Sequence, residues 1–481
     1  MKLLSTLLHK LPVVARAGAT DAEVTELSYD SRQISVGCCF FAVRGTATDG
    51  HRFIPMAVER GACAVVCQEL PEEINPEVAY VVVEDSERTM ACMASAFYDD
   101  PSRELKLVGV TGTNGKTTTA TLLYELVRKL GYRAGLISTV VYKIDDREIP
   151  STHTTPDTIR LNKMLREMVD AGCDYCFMEC SSHAIVQQRT YGLHFAGGLF
   201  SNLTHDHLDY HKTFAEYLKA KKGFFDALPK EAFALTNGDD RNGAVMVQNC
   251  RARVKSYSLR SMADYRCKIV EMHLDGMLLQ VDGREMWSSL TGRFNASNLL
   301  VVYATAVELG FTSEEVLTAL SLLQSVSGRF ECIRSADDVI AVVDYAHTPD
   351  ALENVLQTID EIRTGDNALI VVCGCGGNRD RTKRPEMARI AAAHATTTIL
   401  TSDNPRNEDP EAILDEMEQG IPSGSRYLRI VDRRAAIRTA VMLAKRGDVI
   451  LVAGKGHETY QIVGDEKLHF DDREELRKAF E

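Results

Sequence analysis

Short apolar runs alternate with helix-period segments along nearly the whole chain, which is the pattern of an α/β fold built on largely parallel sheets. The run VAYVVVE precedes a helical segment opened by Asp85 and Ser86, and the charged, proline-containing DDPSRE then reads as a linker. A first boundary is expected near residue 100. The next unit runs from LKLVGVTG to an amphipathic helix, NASNLLVVYATAVELG, followed by LTALSLLQ, with a second boundary near 327. In the last unit VIAVVD, ALIVVCG, TTTILTS, YLRIV and DVILVAG are each followed by a polar turn and mostly by a helix. That unit reads as a doubly wound, Rossmann-like sheet. Domains are therefore expected at 1–100, 101–327 and 328–481, with no fixed-period repeat or low-complexity segment. In doubly wound sheets ligands collect beyond the carboxyl ends of the strands, where GCGGNRD, DNPR and GKGHE fall, so these three clusters should share one crevice.

Length and charge narrow the function. A chain of 481 residues has room for about three domains of ~150 residues. Its 68 acidic against 55 basic residues, a formal charge of -13, argue against a nucleic-acid or membrane-surface binder, so any positive site must be local. No apolar run approaches the ~20 residues of a membrane span, and His9 and Lys10 interrupt MKLLSTLLHKLPVV. A cytoplasmic protein, monomeric, is the expectation. Thirteen cysteines without a secretion signal read as reduced core thiols. Within CDYCFMECSSH the spacing of Cys173, Cys176, Cys180 and His183 could suit zinc, but alternating aromatic and apolar residues mark 174 to 179 as a buried strand and no second pair completes a four-ligand set.

The most explicit chemistry lies in GVTGTNGKTTT, residues 109 to 119. LKLVGV reads as a buried strand, Gly112 and Gly115 let backbone amides face an anion, Lys116 adds charge, and the Thr117 hydroxyl suits Mg²⁺. A helix follows, with Leu122, Leu123, Leu126 and Leu130 on its inner face and Gly131 ending it. The strict P-loop wants glycine at position 110, where this chain has Val110. This is a P-loop variant.

The variant TGTNGKTTT resembles that of the Mur ligase family, the ATP-dependent amide-bond-forming enzymes of peptidoglycan precursor synthesis. MECSSHAIVQQR, SNLTHDHLDYHKTFAEYLKAKKGFF, TGRFNASNLL, VDYAHTPDAL, GCGGNRDRTKRP, TSDNPRNEDP and VAGKGHETYQIVG are similar to the motifs of the branch that adds the third residue to UDP-MurNAc-L-Ala-D-Glu. The resemblance runs from LSYDSR near residue 30 to the end of the chain. It implies that the γ-phosphate of ATP passes to a substrate carboxylate, giving an acyl phosphate that an amine attacks. Such transfer requires positioning and charge neutralisation, hence cations and metal ligands.

The resemblance also implies roles for individual residues. ATP would be held by Gly112, Thr113, Asn114, Gly115, Lys116, Thr117 and Thr118, with Asn295, Asn298, Arg329 and Asp344 at its base and ribose. Lys116, Glu179, His207 and Lys221 would be catalytic: Thr117 and Glu179 would hold one Mg²⁺, and His207 a second together with Lys221, carried as a carbamate formed with CO₂. Glu179 ends a buried strand, where an unpaired carboxylate is costly and a metal would explain it. His205 and His211 are expected to make local hydrogen bonds at the surface. Ser31, Thr46, Ala47 and Thr48 from the first domain, and Thr154, Thr155, Ser181, Gln187 and Arg189 from the second, would bind the UDP-linked dipeptide. Relatives often carry asparagine where this chain has His153.

DNPR, at 403 to 406, is the motif of ligases that use meso-diaminopimelate, and lysine-adding relatives lack its arginine. The chemistry agrees: diaminopimelate differs from lysine by a second, distal carboxylate, which a guanidinium grips through two parallel hydrogen bonds. Lysine would leave Arg406 beside an ammonium, and that repulsion discriminates too. Arg379, Asp403, Asn404, Pro405, Gly454 and Glu458 would complete the pocket. The alternatives are a lysine-adding or folate-extending sister ligase, against which the SYDSR domain and Arg406 count, and a nucleotide-cycling P-loop switch, which has no need of the DNPR and GKGHE crevice.

Overall fold

The strand Lys106–Thr111 is buried at every residue after its first, so it has no solvent face and must lie inside a sheet covered by helices. In the computed structural model, which describes residues 1–45, 48–204, 208–363 and 367–481, it is flanked by two parallel strands, Tyr175–Glu179 and Phe195–Phe200. Ala134–Ile137 extends the parallel set on one side and Phe233–Asn237 and Arg253–Ser258 on the other, and antiparallel strands finish both edges of an eleven-stranded sheet. Strand alternation decides which helix covers which face. Val108 and Val110 pack with the helices Lys116–Lys129 and Arg293–Glu308, whereas Leu107 packs with Thr158–Asp170 and Phe214–Asp226.

The helix Arg293–Glu308 departs from the amphipathic expectation. Asn295, Ala296 and every residue from Asn298 to Ala306 are buried, because the helix is wedged between the P-loop helix, the helix Ser313–Ser321 and the edge strands. A helix enclosed on all sides keeps no polar face.

A separate five-stranded sheet precedes this domain, in the order Ala15–Gly18, Ala79–Val82, Ala62–Cys67, Cys38–Phe41, Glu26–Ser28, with only the first strand antiparallel. Its helix Ser86–Phe97 opens on Asp85, whose carboxylate accepts from the Arg88 amide. The DDPSRE segment is more than a linker: Asp99 and Asp100 take left-handed backbone, Pro101 and Ser102 are buried, and the Ser102 hydroxyl accepts from the His194 amide at 3.0 Å.

The third sheet runs Glu331–Arg334, Ile340–Asp344, Val449–Ala453, Leu369–Cys373, Thr397–Leu400, Tyr427–Arg429. Five strands are parallel, and helices cover both faces, as a doubly wound sheet requires. The antiparallel edge Glu331–Arg334 was not visible in the sequence, since its half-exposed residues form no apolar run. Cys173, Cys176 and Cys180 are buried thiols around Tyr175–Glu179, and no cluster of three metal-capable side chains occurs among the described residues. Cys332, by contrast, is exposed. Among the described residues no helix is long and apolar enough to cross a membrane.

Candidate active site

The strand Lys106–Thr111 turns into its helix through Gly112 and Gly115, which lie too close to their neighbours for any side chain. A Cβ on Gly112, at φ 152°, would sit 1.9 Å from Ser201 Oγ, and one on Gly115, at φ 85°, 2.6 Å from Asn298 Oδ1. Two of the loop amides are already taken within the protein. Asn202 takes the Thr113 and Asn114 amides on its carbonyl and side-chain oxygens, at 2.8 and 2.9 Å. The first turn of the helix Lys116–Lys129 is where backbone amides remain to meet an anion.

Lys116 folds back over the loop, its Nζ donating to the carbonyls of Gly112 at 3.0 Å and Thr113 at 2.8 Å. The Thr117 hydroxyl donates to Glu179 at 2.9 Å, and Glu179 also accepts the Thr139 amide at 2.7 Å and the Thr139 hydroxyl at 3.3 Å. Glu179 is 1% exposed, but it is not the unpaired carboxylate expected from the sequence, so burial alone does not call for a metal. What does fit Mg²⁺ is the donor set, a hydroxyl and a carboxylate at the mouth of a P-loop, both hard oxygen ligands. Lys221 is fully enclosed, donating to Gly112 O at 2.6 Å and lying 4.7 Å from the centre of the Tyr217 ring. His205 and His207 lie outside the described residues. His211 makes the expected hydrogen bond, to Ser182 Oγ at 2.8 Å, but is buried rather than superficial.

Between the second and third domains opens a cavity of about 390 Å³, lined in part by Asn114, Thr118, Asn298, Arg329, Asp344 and Asp350. Such a volume lies within the range of small-molecule sites, ~300–1,000 Å³. The Arg329 guanidinium stacks 4.4 Å from the Tyr345 ring centre and reaches Thr117 Oγ1 at 3.3 Å, while its Nε is buried with no partner among the described residues. Asp344 accepts the Phe330 amide at 2.7 Å; burial pushes its carboxyl up, against the pull of Arg329. Asn295 does not reach the cavity. It donates to Thr291 O at 2.8 Å and accepts from Asn298 at 3.3 Å, supporting the residue that does line it. Asp350, which sequence reasoning missed, accepts from Asn114 Nδ2 at 2.8 Å and Thr204 Oγ1 at 3.1 Å, tying the P-loop to the third domain.

On the other side of Glu179, Thr155 donates to the Glu179 carbonyl at 2.7 Å and Thr154 Oγ1 accepts from Thr139 at 3.0 Å. Arg189 donates to Thr155 O and to Gln187 Oε1, each at 2.6 Å, so these residues form one connected group. Ser181 is the cap of the short helix Ser182–Val186, accepting from the Ala184 amide at 3.2 Å. From the first domain Ser31 is buried in its 3₁₀ turn, and the neighbouring Tyr29 phenol is pushed up by burial and by Asp157, with Arg189 opposing. Thr48 is exposed, and Thr46 and Ala47 lie outside the described residues. The His153 ring is exposed beside Thr152, while its backbone pairs with the Tyr142 hydroxyl.

In the third domain GCGGNRD, DNPR and GKGHE follow three adjacent parallel strands and meet at their carboxyl ends. Asn404 donates to Glu458 at 2.8 Å, and a Cβ on Gly454, at φ 115°, would lie 2.6 Å from Asp403 Oδ2. Arg406 has left-handed backbone (φ 52°), held by Ile462 O and Gly464 N at 3.0 and 2.7 Å; its Nη1 donates to Gly377 O at 2.8 Å. Pro405 is buried beside it. Arg379 is exposed, its Nη1 donating to the Asn378 carbonyl at 3.4 Å, while its Cγ lies beside Gly376 near the Arg406 guanidinium. Lys455 was missed: a lysine in a glycine-rich turn reads as solvated, yet this one is wholly buried, donating to Asn404 Oδ1 and Glu458 Oε2, both at 3.1 Å. Burial, then the charge of Asp403, pushes the Glu458 carboxyl up. The His457 ring, 4.9 Å from that of Tyr345, links the crevice to the interdomain cavity.

Three family models match the chain: "Mur ligase family, catalytic domain" over residues 23–98, "Mur ligase middle domain" over 110–306, and "Mur ligase, glutamate ligase domain" over 328–456. A UDP-N-acetylmuramoyl-L-alanyl-D-glutamate–2,6-diaminopimelate ligase of Cytophaga hutchinsonii is 56% identical over 470 residues, 97% of this chain and 96% of the relative. The protein of the same name from Bacteroides thetaiotaomicron is 53% identical over 480 residues, 99% of this chain and 100% of the relative. A solved structure of a ligase with that name matches 95% of this chain and 94% of its own, with a TM-score of 0.70 at 34% identity. The MurF ligase of Thermotoga maritima in complex with ADP shares the fold, with a TM-score of 0.62 at 20% identity over 95% of this chain and 96% of its own.

Proposed function

The chain belongs to the Mur ligase family, and from that membership we propose that it joins meso-2,6-diaminopimelate to a carboxylate of UDP-N-acetylmuramoyl-L-alanyl-D-glutamate, converting ATP to ADP and phosphate in the cytoplasm. The observation that carries this reading is near-full-length identity to ligases of that name in a chain whose P-loop and DNPR crevice face one another through Arg329, Tyr345 and His457.

A carboxylate does not react with an amine at neutral pH, because oxide would have to leave. Transfer of the γ-phosphoryl group makes an acyl phosphate; the amine adds to its carbonyl carbon, and the tetrahedral intermediate collapses with loss of phosphate. Lys116 exchanges the Gly112 and Thr113 carbonyls for phosphate oxygens, and the first turn of its helix adds amide donors. Asn298, Arg329, Asp344 and Tyr345 enclose the base and ribose. Thr117 and Glu179 would hold one Mg²⁺, and His207 with carbamylated Lys221 a second; bound there, the ions neutralise phosphate charge. Thr154, Thr155, Gln187 and Arg189 hold the UDP-linked dipeptide beside Glu179, with Ser31 and its turn reaching over from the first domain. Arg406 takes the distal carboxylate of the diamino acid, and Asp403, Asn404 and Glu458 its amino groups.

The test is ATP turnover by the purified protein with UDP-MurNAc-L-Ala-D-Glu and each of meso-diaminopimelate, L-lysine and L-ornithine. ADP release and a new tripeptide with diaminopimelate are expected. ATP cleavage without a new peptide bond, or equal use of lysine, would overturn the reading.

A further inference from the structure

Arg384 touches none of the groups assigned above, yet it is fully buried, in the helix Lys383–His394 that follows the GCGGNRD loop. Its Nη1 donates to Glu408 at 2.9 Å and to Glu416 at 2.8 Å, and its Nη2 to Glu408 at 3.0 Å and to the Gly376 carbonyl at 3.3 Å. Glu408 also accepts the Asn378 amide. Glu408 therefore joins two loops: it lies two residues beyond Arg406, and it grips the segment whose Gly377 carbonyl receives the Arg406 guanidinium at 2.8 Å. The loops are packed too tightly to shift independently. A Cβ on Gly377 would fall 1.9 Å from Pro405 O, and one on Gly376 2.9 Å from Arg406 Nη1. Hydrogen bonds from Arg384 hold the Glu408 carboxyl down at about 2, so the clamp stays charged at neutral pH.

We propose that Arg384 and Glu408 form a positioning pair that aims Arg406 at the distal carboxylate of the incoming amino acid, so that selectivity is set one layer beneath the pocket. The inference rests on the assignment of Arg406 made above. A bidentate guanidinium fixes the separation of two loops as a lysine ammonium cannot, and an ion pair with one fully buried and one partly exposed partner contributes geometry more reliably than stability. A displacement of Arg406 by about 1 Å is enough to degrade recognition while leaving the phosphoryl-transfer groups in place.

The experiment compares Arg384→Lys, Glu408→Gln and Arg406→Ala by steady-state kinetics, varying each of the three substrates and both meso-diaminopimelate and L-lysine. For Arg384→Lys and Glu408→Gln, KM for diaminopimelate should rise roughly tenfold, with a matching fall in preference over lysine. KM for ATP and for the UDP-linked substrate should stay within about threefold, and adding Arg384→Lys to Arg406→Ala should cost nothing further. A parallel rise in all three KM values, or a loss of thermal stability with selectivity intact, makes the clamp merely structural and overturns the proposal. If Arg384→Lys does not fold, Glu408→Gln decides alone, since it leaves Arg384 paired with Glu416. Should Arg406→Ala itself leave selectivity unchanged, the Arg406 assignment fails first; should it alone change selectivity, only the clamp fails.

Discussion

Lys116 and Lys221 donate to one and the same acceptor, the carbonyl oxygen of Gly112, at 3.0 and 2.6 Å. Two lysine side chains from different segments thus converge on one neutral oxygen at the mouth of the P-loop. In the proposed reaction phosphate oxygens would take over Lys116, and conversion to a carbamate would turn Lys221 from a donor into a metal ligand.

Replacing Lys221 with alanine should therefore lower kcat by roughly 10²-fold or more. Short carboxylic acids added to the assay should restore part of the rate, because they return an anionic oxygen to the enclosed space that the side chain leaves. Activity close to that of the parent would remove the carbamate from the mechanism.

Glu179→Gln should raise the Mg²⁺ concentration needed for half-maximal ADP release and lower kcat by ~10²-fold. The amide can keep its oxygen toward the Thr117 hydroxyl and the Thr139 N–H and turn its NH₂ to the Thr139 hydroxyl, so little loss of stability should accompany the change. Thr139→Ala keeps the N–H bond and loses the hydroxyl's contacts with Glu179 and Thr154; a Mg²⁺ dependence altered equally by Thr139→Ala and Glu179→Gln would argue against direct metal ligation.

Arg406→Ala should reduce kcat/KM for diaminopimelate by ~10²-fold or more, corresponding to a lost charge-assisted pair of about 2–5 kcal/mol. Arg406→Lys should recover little, for want of the planar fork. Use of L-lysine, measured alongside, should rise modestly with Arg406→Ala, since the substitution removes the repulsion of its ammonium.

His457 gives a pH dependence with a definite sign. Burial, reinforced by Arg329, Arg473, His347 and Lys455, lowers it from 6.5 to about 3, so the folded state keeps the ring neutral where the unfolded chain would protonate it. Its contribution to stability is complete above pH 6.5 and is lost progressively as pH falls toward 3. His457→Phe, which keeps a ring against Tyr345, should flatten that part of the profile when denaturant midpoints of parent and variant are compared between pH 4 and 8. An unchanged difference across that range would show that the ring titrates normally.

Much of the site was legible because its chemistry is local. Strand, glycine turn, Lys-Thr and helix appear consecutively, so TGTNGKTTT could be read as a phosphate loop without any tertiary contact. The DNPR and GKGHE clusters were legible for a related reason: in a doubly wound sheet, position after a parallel strand already fixes the edge on which a residue lies. Lys455 and Asp350 were not legible. Their importance lies in partners 51 and 236 residues away, Asn404 and Asn114, and no local pattern encodes such pairings.

The same distinction explains what was misjudged. Glu179 looked like a stranded carboxylate because its donors, Thr117 and Thr139, arrive from other segments, and the helix Arg293–Glu308 looked amphipathic because its polar Asn295 and Asn298 are buried and hydrogen-bonded instead of solvated.

Taken alone, the order of residues determined the α/β class and the kind of chemistry, because strand and helix periodicity and loop composition act over a few neighbours at a time. Only the folded chain decided which donors satisfy Glu179, which side chains surround Lys221, and how Arg406 is aimed. Those outcomes depend on hydrogen bonds and exclusion of water between segments brought together by packing, and both vary steeply over distances of about an ångström.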